Sequence, residues 1–166
     1  MERAIDVYQR IKGPVATVNV CFQPDGVLDY AAIRRYVNWL CENRVPILLL
    51  TYGSSEFSGL TEQDIYRLTE EVADAAAGRA LVIASTGWWP PRLCRDFLQH
   101  ADRVGADAVK VQVNPSLGKD ADTIVGFFDA LSDAADIPLL LWSVPPSFTV
   151  DVVRELAIRP NIVGMK

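Results

Sequence analysis

The chain is poor in the residues that build metal centres, disulfide frameworks and nucleic-acid surfaces. It has 3 cysteines and 1 histidine among 166 residues. Cys21, Cys41 and Cys94 are odd in number and far apart, and no Cys-x-x-Cys pair occurs, so neither a disulfide framework nor a zinc site is expected. Unpaired thiols of this kind suit a reducing compartment, and a cytoplasmic location is expected. Basic residues number 16 against 21 acidic ones, a net charge of -5. A phosphate backbone calls for the opposite balance, which argues against nucleic acid as a partner. The longest apolar run, Val45 to Leu50, is strand-sized, and no membrane span is expected. The opening MERAIDVYQRIKG carries charges where a signal peptide needs an apolar stretch. Neither a G-x-G-x-x-G turn nor a P-loop is present, so no nucleotide cofactor is expected, and no other cofactor is implied.

What the chain does have is a regular alternation of short apolar strands and amphipathic helices. Strands are expected at Val15–Phe22, Pro46–Tyr52, Leu81–Ser85, Ala108–Val113, Pro138–Trp142 and Asn161–Met165. Asp29 is placed to cap a helix carrying Ile33, Val37, Leu40 and Cys41 on one face. Thr61 with Asp64 three residues on resembles a capping box for a helix through Ile65, Leu68 and Val72 that stops near Gly78. Pro90-Pro91 suits the start of a helix through Cys94, Leu98 and Ala101. Asp120 or Asp122 would cap the helix of Ile124, Phe127, Phe128 and Leu131, and a short helix follows from about Thr149 to Ala157.

Such an order is α/β with a parallel sheet whose strands are covered on both faces. An open doubly wound sheet and a closed barrel both fit, and the first strand-to-helix turn, FQPDG, lacks the glycine fingerprint of the dinucleotide-binding open sheet. A (β/α)8 barrel is therefore preferred. Barrel closure takes eight units and typically about 250 residues. Residues 1–166 are accordingly read as the N-terminal portion of a single barrel domain, covering about six strands.

One residue invites chemistry on its own terms. Lys166 follows the apolar strand IVGM, and the strand ends of a barrel form its catalytic face. An amine held there in low dielectric favours its neutral form, which can attack a ketone and form an iminium. The alternative is a surface lysine just beyond a strand. Lys110 and Gln112 share one face of the fourth strand. If that face points inward, Gln112 reaches a substrate from near the strand end; otherwise the two form a polar pair satisfied inside the barrel. Trp88 and Trp89 follow the third strand and would either narrow the site or pack at a subunit interface. Phe148 is a weaker candidate for the pocket rim.

Six stretches, in order, resemble the dihydrodipicolinate synthase/N-acetylneuraminate lyase family: FQPDGVLDYAAIRRYVNWL, YGSSEFSGLT, AAGRALVIAS, RVGADAVKVQVNP, IPLLLWSVP and RPNIVGMK. The second is similar to the family signature Gly-(Thr/Ser)-Thr-Gly-Glu-x-x-x-Leu-(Thr/Ser), and the last ends on the motif of the Schiff-base lysine. The resemblance implies a (β/α)8 barrel and a class I aldolase or hydro-lyase acting on pyruvate or another 2-oxo acid, with Lys166 as nucleophile. It implies that Gly53, Ser54 and Ser55 hold the substrate carboxylate and that Ser54 shares in proton relay, with Glu56 a structural hydrogen-bonding residue. A homodimer or homotetramer follows by the same resemblance.

The departures are specific. Trp142 stands where the family carries a relay tyrosine, and indole has one N–H donor but no useful acid–base function. It would shape the pocket instead. Ser116 or Leu117, depending on a one-residue choice of alignment, occupies the place of a second tyrosine. Ser147 replaces the arginine that binds the second substrate's carboxylate in true dihydrodipicolinate synthases. Authentic dihydrodipicolinate synthesis is therefore not expected. The rival expectation is a non-catalytic family member that binds a 2-oxo acid without turnover.

Overall fold

A computed structural model describes residues 1–117, 120–142 and 148–166. In chain order the elements are α1 Glu2–Arg10, β1 Val15–Thr17, α2 Tyr30–Glu42, β2 Ile47–Leu49, α3 Glu62–Ala76, β3 Leu81–Ser85, α4 Pro91–Arg103, β4 Ala108–Gln112, α5 Ala121–Ser132, β5 Leu139–Trp142, α6 Val150–Leu156 and β6 Ile162–Met165. The six strands form one parallel sheet in the order β1-β2-β3-β4-β5-β6. Among the described strands spatial order equals sequence order, so their winding never reverses and they contain no switch point. A doubly wound sheet would need one.

The strand period of two sorts side chains onto two faces. Leu48, Val82, Val109, Val111, Leu139 and Leu141 belong to one apolar core with the helix residues Ile33, Val37, Leu68, Phe97 and Phe128. Their neighbours Ile47, Leu49, Leu81, Ile83, Ala108, Leu140 and Val163 form a second, separate cluster on the other face. The first face carries the helical layer and the second is the inner face of a barrel wall.

The helix boundaries follow their capping chemistry. The Asp29 side chain accepts from the Ala32 N–H at 2.9 Å at the start of α2. Thr61 and Asp64 make the reciprocal box at α3. Asp120, not Asp122, caps α5 through the N–H and hydroxyl of Thr123. Thr149 caps α6 through Val152.

Three features depart from the sequence expectation, one of them β2, which spans Ile47–Leu49 and not Pro46–Tyr52. Helix α1 lies in the stretch read only for its charges, and its Ala4 and Val7 pack into the inner cluster beneath the strands. The first strand is also shorter than Val15–Phe22. After Val18, whose N–H still pairs with the Leu49 carbonyl, the chain leaves the sheet, and Phe22 instead bridges antiparallel to Leu28. No helix among the described residues is long and apolar enough to cross a membrane.

Candidate active site at the carboxyl ends of the strands

Inward-facing positions change from apolar to polar along each strand. Strand register places Leu49 beside Ile83, Ser85 beside Lys110, Lys110 beside Leu140 and Gln112 beside Trp142. Two residues past Leu49 the inward position is Thr51. The inner face therefore presents Thr51, Ser85, Lys110 and Gln112 near its carboxyl end, all buried. Leu140 pairs with Gly164 across a register shift between β5 and β6, so Lys166 falls on the same inward period one step beyond, alongside Trp142. The Lys166 N–H continues the ladder to the Leu141 carbonyl at 3.0 Å. Its side chain is exposed.

The desolvated amine among the described residues is not Lys166 but Lys110, which is 1 % exposed. The Lys110 Nζ donates to the Thr51 hydroxyl at 2.9 Å and stands 4.9 Å from the centroid of the Trp142 ring. Burial, with a smaller contribution from the charge of Lys166, lowers its pKa to about 7. Gln112 donates to the Thr86 carbonyl and, at 3.4 Å, to the Ser85 hydroxyl. Its carbonyl oxygen is buried without a hydrogen-bond partner among the described residues. Among the described residues the layer is thus not fully self-satisfied.

The loop after β2 divides its roles residue by residue. The Ser55 side chain is buried; its hydroxyl donates to the Val18 carbonyl at 2.6 Å and accepts from the Thr51 N–H at 3.1 Å. It ties the loop to the sheet, and its N–H is likewise engaged, with the Thr51 carbonyl. Gly53 and Ser54 are exposed, so of the expected carboxylate cradle these two remain open to solvent. Glu56 is exposed and adopts φ 50° and ψ 36°, the left-handed conformation that glycine favours. Among the described residues its carboxylate makes no hydrogen bond, so the structural bonding role expected for it is not seen.

The two tryptophans part company. Trp88 stacks on Tyr52 at 4.4 Å between centroids, and its carbonyl accepts from Asn114 at 2.8 Å, so it shapes the rim beside the β2 loop. Trp89 packs instead against Tyr66 and Phe97 in the helical layer. Gly87 is needed just before them, because a Cβ there would come within 2.6 Å of the Trp89 indole nitrogen. Phe148 packs on Phe128, with the outer core. Leu117 leans on the same core. Ser147 and the Ser116 side chain lie outside the described residues. Thr51, Ser85 and Tyr52 were not singled out in the sequence; the alternation along each strand was the signal that could have found the first two. Among the described residues no group of three or more side chains is arranged to hold a metal ion.

A parallel wall wound once, polar on its inner face only at the carboxyl ends of its strands and carrying amines there, is the front of a (β/α)8 barrel with a lysine-bearing site. The chain belongs to the dihydrodipicolinate synthetase family, whose model matches residues 10–166. It is 32% identical over 162 residues to 4-hydroxy-tetrahydrodipicolinate synthase of Methanothermobacter thermautotrophicus, covering 95% of this chain and 57% of that protein. N-acetylneuraminate lyase from Mycoplasma synoviae superposes with a TM-score of 0.86 at 26% identity, over 96% of this chain and 56% of the other. Dihydrodipicolinate synthase from Acinetobacter baumannii, solved in complex with pyruvate, superposes with a TM-score of 0.84 at 25% identity, over 94% and 55% of the two chains. The chain spans little more than half the length of these relatives.

Proposed function

We propose that the protein is a Schiff-base-forming lyase, an aldolase or hydro-lyase, that acts on pyruvate or another 2-oxo acid. Lys166 is the nucleophile in this reading. Its amine attacks the C2 carbonyl, and loss of water leaves an iminium that draws electrons from the neighbouring carbon. Gly53 and Ser54 face the substrate carboxylate with backbone N–H groups and a hydroxyl, an arrangement suited to anions. Ser55 supports that loop from beneath. Gln112 and Trp142 form the wall, and Trp142 shapes the pocket without supplying an acid. The observation that carries the reading is Lys166 at the end of β6, on the inward period beside Trp142, in a chain that belongs to this family. Residues 1–166 are then the N-terminal portion of a single barrel domain, the protein is cytoplasmic and it assembles as a homodimer or homotetramer.

The test is trapping. The full-length protein, incubated with pyruvate and borohydride and then digested, should carry a reduced pyruvyl adduct on Lys166 by mass spectrometry. Absence of any adduct across a panel of 2-oxo acids would remove the nucleophilic role. A second reading, a barrel that binds a 2-oxo acid without turning it over, is favoured by one feature: an indole at position 142 cannot donate and recover a proton as a phenol can. Trapping without product formation in any lyase assay would select it.

A further inference from the structure

The reading above leaves the most deeply buried ionisable group of the site without a task. Lysines are seldom fully buried, and a buried amine that stays costs stability unless something is gained. Lys110 projects from the middle of β4 into the inner face. Its amine meets the Thr51 hydroxyl on one side and the Trp142 ring on the other. Trp142 is the position at which an acid–base side chain is missing. Directly behind that indole the chain places an amine.

We propose that Lys110, working through the Thr51 hydroxyl, is the proton-transfer residue of this site and takes over the part a phenol would play at position 142. This rests on the imine chemistry proposed at Lys166. Once pyruvate is held there as an iminium, a C3–H bond breaks and its electron pair becomes the C2–C3 double bond. The C=N π pair returns to nitrogen, giving the enamine. The Thr51 oxygen takes the proton and passes its own to the neutral Lys110 amine. Reversal returns the proton to carbon, and no oxidant, reductant or further reactant is needed. The hydroxyl rotates, so it can accept from the ammonium, as in the structure, or donate to the amine. With its pKa lowered to about 7, Lys110 holds both forms near neutrality, the condition under which an acid–base group is most effective. Facing it are Thr51 beyond β2, Ser85 of β3, Leu140 and Trp142 of β5, and Lys166 after β6. Of these only Lys166 carries a charge-bearing side chain.

The experiment follows the exchange of pyruvate methyl protons in D2O by NMR, using the full-length protein, with borohydride trapping run in parallel. Wild type should exchange with a pH dependence centred near 7. Lys110→Met should keep the trapped adduct on Lys166 but exchange roughly 10²–10⁴-fold more slowly and lose that midpoint. Lys110→Arg should lose exchange as well, because a guanidinium keeps the charge but does not release its proton. Exchange by Lys110→Met within about threefold of wild type, well short of what general acid–base catalysis contributes, would overturn the proposal. Restoration by arginine, or an adduct found on Lys110 itself, would also overturn it. Should neither variant fold, a wild-type rate that is flat from about pH 6 to 8 would overturn it, since that range spans the expected titration. An adduct on Lys166 with no dependence on Lys110 sinks this proposal alone, whereas no adduct in wild type sinks the functional reading and this with it.

Discussion

The two faces of the sheet handle their strand ends differently. On the outer face, β3 and β4 remain apolar throughout, with Val82, Ala84, Val109 and Val111 all packed beneath helices. On the inner face the same strands are apolar only over their first half. Leu81, Ile83 and Ala108 close over Ala4 and Val7 of α1, and then Ser85, Lys110 and Gln112 take over. The first region stabilises the wall by removing apolar surface from water. The second region gives up that stabilisation over a few residues and gains a desolvated amine in return. Stability and chemistry are therefore separated along the strands of one face, not between elements.

Substitutions can break or sharpen that contrast. Phe97 is fully buried among Tyr66 and Trp89 on the outer side, and Phe97→Ala should destabilise by about 3–5 kcal/mol, read by denaturant unfolding. Lys110→Met should do the reverse and stabilise by about 2–4 kcal/mol near pH 6. The sign comes from linkage. The native pKa of about 7 lies below the ordinary 10.5, so the folded state bears the full cost of the buried charge below pH 7. Between those two values the unfolded chain binds the extra proton, and the cost fades as pH rises. The advantage of the methionine variant should shrink accordingly in melts taken from neutral to alkaline pH. Gly87→Ala should cost about 1–3 kcal/mol, because the new methyl meets the Trp89 indole. Ser54→Ala, at an exposed loop position, should leave stability within about 0.5 kcal/mol while weakening pyruvate capture, so the two readouts separate in a single variant.

Much of the wall is legible in the sequence because its signals are local. Thr61-x-x-Asp64 states its own capping box, and β2 to β6 are compact apolar runs bounded by turns. What escapes is set by tertiary partners. Helix α1 is a charged stretch whose two small apolar contacts, Ala4 and Val7, have meaning only once the inner face exists to receive them. Val15–Phe22 is apolar enough for a long strand, yet β1 ends where its pairing with β2 stops. Lys166 stood out as an amine at the end of an apolar strand, and the family resemblance drew attention to Ser54 and Trp142. Period-two reading of Val-Lys-Val-Gln-Val brought Lys110 and Gln112 to one face but could not say which way that face looks. The inward answer depends on the winding of six strands. Ser55 shows the reverse: the motif suggests a ligand, whereas burial and two hydrogen bonds give it to the scaffold.

The most direct measurement is the titration of the Lys110 side chain by carbon-13 NMR of its ε-carbon, assigned by loss of the signal in Lys110→Met. A midpoint near 7 is expected if the carboxyl end of the inner face is a dry, amine-bearing chamber. A midpoint at the ordinary value near 10.5 would mean that water reaches this layer freely, and the separation of scaffold from chemistry along the strands would not hold.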